Sequence, residues 1–110
     1  MAIDVSKLAE NMFGAARGVF AKKWPEVEEY AKMEFKKIAE SIAAIERMKL
    51  TGMITEEQAR LHLDIQKNAT RNVFLALEGL GILIVEQAIN AALGIVKDTV
   101  NSALGWTIIV

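Results

Sequence analysis

The sequence predicts an all-α protein, a bundle of three to four amphipathic helices, and three observations support this fold class. Apolar residues make up 53% of the 110 residues and charged residues 25%, so the chain has enough apolar material for a core. One proline and seven glycines leave most of the chain free of helix breakers. The apolar residues recur at steps of three and four, the spacing of one helix face. We expect a single helical domain over residues 1–110.

The first two predicted helices span about 4–23 and 25–50 and are separated at Trp24-Pro25. A residue before proline is pushed out of the helical region, whereas proline itself suits the first position of a helix. The second helix has an apolar face formed by Val27, Ala31, Phe35, Ile38, Ile42 and Ile45.

The turn over residues 51–55 is the most specific local signal in the sequence. Gly52 can adopt the left-handed conformation that ends a helix. Thr55, with Gln58 three residues later, has the pattern of a capping box that begins the next helix. Because so short a connection makes its flanking helices antiparallel neighbours, we predict a helical hairpin here.

The third and fourth helices are predicted over about 56–78 and 79–104. The chain either continues as one long C-terminal helix or kinks at Gly79–Gly81, and the sequence leaves both alternatives open. A straight version would contain about 50 residues and be roughly 75 Å long at about 1.5 Å per residue. A rod of that length would need partners.

The predicted fourth helix is apolar around most of its circumference. With about 100° per residue, its polar residues fill an arc of roughly 120°, and a surface helix needs an apolar stripe of only about 100°. The larger apolar arc has two sides, and exposing one would forgo about 1.5–3 kcal/mol for each large side chain. Three partners could cover this apolar arc: the rest of the same chain, other copies of the chain, or a lipid or other apolar ligand.

We favour other copies as this cover, because the first three helices offer one apolar face each and must also satisfy one another. A homo-oligomer is therefore expected, with a membrane or an apolar ligand as the less favoured alternative. The predicted oligomer interface is one side of the fourth helix: Ile82, Val85, Ile89, Leu93, Val96, Val100 and Leu104.

Charge and composition exclude several functions. The net charge is −1 and no basic stripe builds up, so nucleic acid is not an expected partner. The chain has no cysteine, which excludes disulfides and thiolate metal sites. The N-terminus carries Asp4 and Glu10 in place of a basic start and an apolar run, and no stretch reaches about 18 apolar residues. We therefore expect a cytoplasmic location without a signal peptide or a membrane span.

The most plausible chemistry lies in a polar seam between the second and third helices. If the hairpin pairs its helices symmetrically, His62 comes level with Ser41 or Ile42, and Glu34 comes within about one helical turn of Gln66. Buried polar side chains usually pair with each other, so we interpret these four polar residues as a seam that fixes helix register. Glu34 and His62 are weak candidates for a metal site, since one histidine and one carboxylate do not close a site.

Comparison with ferritin-like di-metal bundles does not support a metal-binding function. Those proteins carry Glu-x-x-His on their metal helices, and here the residue three before His62 is Ala59. No phosphate-binding glycine loop and no catalytic triad is recognisable, so no catalytic residue and no cofactor is predicted.

The leading hypothesis is a non-enzymatic structural or interaction protein that self-associates through its apolar C-terminal helix. The alternatives are a membrane-active or lipid-binding helical protein, suggested by the same apolar arc, and a metal-binding bundle that uses Glu34 and His62. The tail after residue 105 is apolar, and we expect it to dock on its own or on a neighbouring subunit.

Overall fold

The computed structural model describes residues 3–110 and confirms an all-α helical bundle. The helices are α1 (Val5–Phe20), α2 (Trp24–Leu50), α3 (Glu56–Leu75) and α4 (Ile82–Leu104). A single 3₁₀ turn, Ala21–Lys23, joins α1 to α2. Helix α1 packs against α2 and α4, α3 also packs against α2 and α4, and α1 and α3 lie diagonally across the bundle.

Neighbouring helices alternate in direction. At one end of the bundle, the backbone N–H of Ile3 before α1 donates to Glu46 near the end of α2, at 3.4 Å. The Arg60 Nε atom near the start of α3 donates to the Thr107 carbonyl after α4, at 2.8 Å. At the other end, the end of α1 meets the end of α3. The arrangement is therefore up-down-up-down.

Aromatic side chains fill the core at the end where α1 meets α2. The Phe20 ring lies 5.3 Å from the Phe74 ring between centroids, and Phe74 lies 5.8 Å from Phe35. Trp24 packs edge-on against Phe13 at 4.7 Å. Aromatic pairs at such distances add stabilisation beyond their buried area. This cluster joins α1, α2 and α3.

The break between the first two helices lies earlier than predicted. Helix α1 ends at Phe20, and Ala21 has a positive φ of 47°, whereas Trp24 and Pro25 already belong to α2. Proline fits there because the first turn of a helix does not use its N–H groups in intrahelical hydrogen bonds. The sequence predicts a break directly before Pro25, but a proline requires only that it lie within the first turn of its helix.

The chain also breaks between α3 and α4, so no 50-residue rod forms. Helix α3 ends at Leu75, not at residue 78, and α4 begins at Ile82. Gly79 has a φ of +85°, and a Cβ atom there would lie 2.9 Å from the Lys23 Nζ atom. Glu78 is consequently an exposed loop residue. The glycine therefore allows the chain to turn here, and its missing side chain leaves room for Lys23 from the 3₁₀ turn between α1 and α2.

The C-terminal tail docks on its own chain. Gly105 ends α4 in the left-handed conformation. The Asn101 side chain then accepts hydrogen bonds from the Ile108 and Ile109 N–H groups at 3.0 and 3.1 Å and donates to the Ile109 carbonyl at 2.9 Å. Both isoleucine side chains are buried. The tail therefore adds a short apolar segment to the core.

The hairpin turn has the predicted chemistry. The Gln58 N–H donates to the Thr55 hydroxyl at 3.1 Å, and the Thr55 N–H donates to the Gln58 side chain at 3.0 Å. Gly52 has a φ of +69°. The reciprocal bonds of this capping box satisfy donors that a helix N-terminus leaves free.

We predict that Thr55→Ala lowers the free energy of unfolding by about 1 kcal/mol, because it removes an N-cap acceptor. Chemical denaturation in urea measures this change. Thr99→Ala, at an exposed position in the C-terminal half of α4, is the matched control and should change the free energy by less than about 0.5 kcal/mol. Equal effects of the two substitutions would contradict the assigned role of the cap.

Candidate functional site: an exposed apolar surface on the helical hairpin

The predicted oligomer interface on α4 lies mostly inside the protein's own core. Six of its seven residues are at most 6% exposed, and only Ile82, at 64%, remains open to solvent. The prediction that this side of α4 awaits a second copy is therefore corrected, because α1, α3 and the tail supply the cover. The six residues are Val85, Ile89, Leu93, Val96, Val100 and Leu104.

The second apolar side of α4 is also covered for most of its length. Ala88 is buried and Ile84 and Ala91 are half-buried, whereas Ile95 is 60% exposed. The apolar arc that suggested a lipid-bound alternative is thus largely occupied by protein. Among residues 3–110, no helix combines the length and the apolar character needed to cross a bilayer.

The four residues of the predicted polar seam do not form a connected network. The buried Glu34 side chain, 3% exposed, pairs with Lys37 one turn along the same helix, at 3.0 Å. Gln66 donates to the buried Thr70 hydroxyl on its own helix, at 3.4 Å. Ser41 and His62 are half-buried. Within residues 3–110, none of the four hydrogen-bonds to another, so the predicted link across the hairpin is corrected.

His62 lies in an apolar groove with one nitrogen unsatisfied. The groove, about 360 Å³ in volume, lies where α2, the turn and α3 meet, and His62 is its one ionisable lining residue. The Nδ1 atom is inaccessible to solvent and has no hydrogen-bond partner. A buried polar atom without a partner carries a desolvation cost, so the imidazole is held there at the expense of stability.

A metal site on Glu34 and His62 gains no further ligand from the fold. Among residues 3–110, no three His, Asp or Glu side chains come together in a group that could hold a metal ion. Glu34 already has its charge balanced by Lys37. The donor set is therefore smaller than the three protein ligands of a typical catalytic zinc site.

Glu46 is a buried carboxylate that the sequence analysis missed. It is 5% exposed and accepts the Ile3 N–H at the end of the bundle. A signal for it exists in the sequence, because Glu46 lies four residues after Ile42 and thus on the apolar face of α2. It connects the end of α2 to the chain entering α1.

An ion pair links α3 to α4. The Arg71 guanidinium donates to both carboxylate oxygens of Glu86, and both side chains are partly buried. The hydrogen bond from Arg71 lowers the pKa of Glu86 below its ordinary value of 4.5, with smaller contributions from the positive charges of Arg71 and Lys67. Burial acts in the opposite direction. The pair ties α4 to α3 near the loop between them.

The most distinctive surface feature is a group of exposed apolar side chains at the hairpin. Met53, Leu61 and Ile65 are 76%, 57% and 71% exposed. They border the groove around His62, whose remaining lining residues are Met48, Ile54 and Gln58. We call these seven residues the hairpin surface. Exposed apolar residues scattered singly are normal, whereas a contiguous group of them is a candidate for an interaction site.

A cleft of about 510 Å³ lies at the opposite end of the bundle and is polar. Lys23 and Glu26 form an ion pair across part of it at 3.8 Å, and Tyr30 and Glu78 contribute further polar atoms. Lysine and carboxylates of opposite sign balance each other there, and no nucleophile is paired with a base. The cleft is therefore a less distinctive feature of the surface than the exposed apolar group at the hairpin.

Comparison with protein-family models, with curated proteins and with solved structures found no match to this chain. The function is therefore inferred from the surface itself.

We predict that His62→Leu leaves the free energy of unfolding unchanged or raises it by about 1 kcal/mol, because it removes an unsatisfied polar atom from an apolar groove. Urea denaturation at neutral pH measures this. A loss of more than about 1 kcal/mol would show that the imidazole has a stabilising polar partner, contrary to the structure.

We also predict that Glu86→Gln lowers the free energy of unfolding at pH 7 by up to about 1 kcal/mol. Since the pKa of Glu86 is lower in the folded protein, the ion pair stabilises the fold above pH 4.5, and this contribution is lost as the pH falls through the folded pKa. The deficit relative to the wild type should therefore shrink at pH 3. Asp98→Asn, on the exposed face of α4, serves as the control, and an equal deficit at both pH values would contradict the assignment.

Proposed function

We propose that this protein is a non-enzymatic interaction protein that self-associates through the hairpin surface. The observation that carries the proposal is the exposure of Leu61 and Ile65, one turn apart on α3 beside an apolar groove. In this proposal the hairpin surface is the interface between copies, in place of the α4 face predicted from the sequence, because the rest of the chain covers that face of α4.

The exposed face of α3 has the spacing of a helix-pairing seam. Leu61, Ile65, Asn68, Asn72 and Leu75 follow one another at steps of four, three, four and three, and all five are exposed. This is the alternation of positions through which helices pair in coiled coils. Asparagine within such a seam favours one register over others at some cost in stability. The seam therefore suits a second helix better than an irregular partner.

Packing within the monomer leaves α3 free for this role. Only Ala59, Leu63, Thr70 and Phe74 of its twenty residues are buried, whereas α4 buries eight of twenty-three. A helix that gives so little of its surface to its own core keeps a wide outer face. Leu61 and Ile65 lie at the centre of the N-terminal half of that face.

The size of the surface favours a weak association. Stable interfaces bury about 800 Å² on each partner, and weak or transient ones bury less. A few apolar side chains and a groove reach only the lower end of that range. We therefore expect self-association in the micromolar range, which corresponds to about 8 kcal/mol.

The decisive test compares the wild type with Ile65→Lys by sedimentation velocity over a concentration series up to about 100 μM. Each buried Ile65 is worth about 1.5–3 kcal/mol, and a two-fold interface loses it twice, so we expect association to weaken at least about 100-fold. Ile95→Lys places the same charge at an exposed isoleucine on α4 and should associate as the wild type does. A wild-type protein that remains monomeric over the whole series would refute the proposed function.

A further inference from the structure

We infer that the gap between α3 and α4 is a binding groove for an apolar, non-helical segment of a partner polypeptide, and that the chain's own tail, residues 106–110, occupies part of it. The gap exists because α3 and α4 pack less closely than the other three pairs of adjacent helices. Two observations support the inference. They are the manner in which the groove holds the tail and the open length of groove beyond it.

The groove holds the tail mainly through its backbone. Asn101 on α4 bonds to the Ile108 and Ile109 N–H groups and to the Ile109 carbonyl, and Arg60 on α3 donates to the Thr107 carbonyl. Among residues 3–110, no backbone–backbone hydrogen bond reaches the tail. Bonds to the main chain are available to any sequence, whereas buried side chains select one. The tail is therefore bound as a peptide ligand would be, with two adjacent isoleucines as its anchors.

The groove continues beyond the tail as an open cavity of about 150 Å³. Leu63 and Leu93 give it apolar walls, and a Cβ atom at Gly94 would contact nothing within 4 Å. Farther along, toward the loop between the helices, the ion pair of Arg71 and Glu86 bridges α3 and α4. The tail thus fills only one part of the groove.

Asn90 lines the open part and repeats the position of Asn101. The two residues are eleven apart in the sequence, about three turns, so they lie on the same face of α4. Within the described part of the chain, Asn101 bonds to the tail, whereas the exposed Asn90 side chain makes no hydrogen bond. At about 1.5 Å per helical residue and about 3.3 Å per residue of extended chain, the two amides suit backbone groups about five residues apart. The groove therefore fits a segment of about nine residues, longer than the tail.

The lining also indicates which segment would bind. Ile108 and Ile109 mark the place for two adjacent aliphatic side chains. Beyond them the rim charges on α3, Asp64 and Lys67, have opposite signs, so the groove favours no net charge. The expected ligand is thus a pair of aliphatic residues followed by an uncharged stretch.

A partner must displace the tail before it can bind. The cost of ordering the tail backbone offsets part of the gain from burying two isoleucines, so the hold is limited. Because the tail is tethered beside the groove, it competes with a partner at a high effective concentration. The tail therefore acts as an autoinhibitory segment.

Peptide titrations test the groove on the full chain. The short probe is a fluorescein-labelled peptide with the sequence of residues 105–110, and the long probe carries four further threonines after it. The double variant Ile108→Ser/Ile109→Ser, whose own tail has lost its anchors, should bind the short probe at least about tenfold more tightly than the wild type does, as measured by fluorescence anisotropy. A short probe with serine in place of both isoleucines should not bind.

The two asparagines are tested in the same double variant. The long probe should bind at least about threefold more tightly than the short one, the gain expected from one further hydrogen-bonded contact. Asn90→Ala should remove this gain alone, whereas Asn101→Ala should weaken both probes at least about fivefold. Asn11→Ala, at an exposed position on α1, is the matched control and should change neither.

Equal binding to the wild type and to the double variant, or binding that survives Asn101→Ala, would overturn the inference. Circular dichroism checks that each variant is folded. If the double variant does not fold, the wild type decides: an excess of the long probe must raise the amide hydrogen exchange of Ile108 and Ile109 at least about tenfold, and unchanged exchange would refute the groove. Ile65 does not line the groove, so Ile65→Lys should leave probe binding unchanged whether or not the protein self-associates.

Discussion

The apolar circumference of α4 is the constraint on which the rest of the fold depends. A helix with two apolar sides cannot remain at the surface, since each exposed large side chain forgoes about 1.5–3 kcal/mol. Helices α1 and α3 flank α4, and the tail returns over it through the three hydrogen bonds of Asn101. Once α4 is enclosed, α2 completes the bundle and α3 keeps an outer face.

The helical hairpin could be predicted because its determinants are local. Gly52 at a positive φ and the reciprocal bonds of Thr55 and Gln58 depend on residues within one turn of one another. The cover of α4 could not be predicted in the same way. One apolar face per helix is enough, because in a square arrangement that face lies between two neighbours and contacts both. The tail, which is not a helix, supplies additional cover with Ile108 and Ile109.

The candidate site shows the same division between local and distant determinants. Glu34 is buried, yet its partner is Lys37 at one turn's distance on the same helix, not a residue of α3. Gln66 likewise bonds to Thr70 on its own helix. The helix itself brings side chains three and four residues apart close together, so these bonds require no particular rotation of one helix against another. A cross-helix seam depends on the exact rotation of two helices, which periodicity alone does not determine.

The outer face of α3 follows from the same balance of burial. Only four residues of α3 are buried, so this helix contributes few apolar contacts to its packing against α2 and α4. Its attachment depends partly on polar contacts at the edges, the Arg71–Glu86 ion pair with α4 and the capping box at the turn. A second copy packed on Leu61 and Ile65 would supply the burial that the monomer does not. Because a partner that binds only the folded state stabilises it by mass action, association and the docking of α3 would reinforce each other.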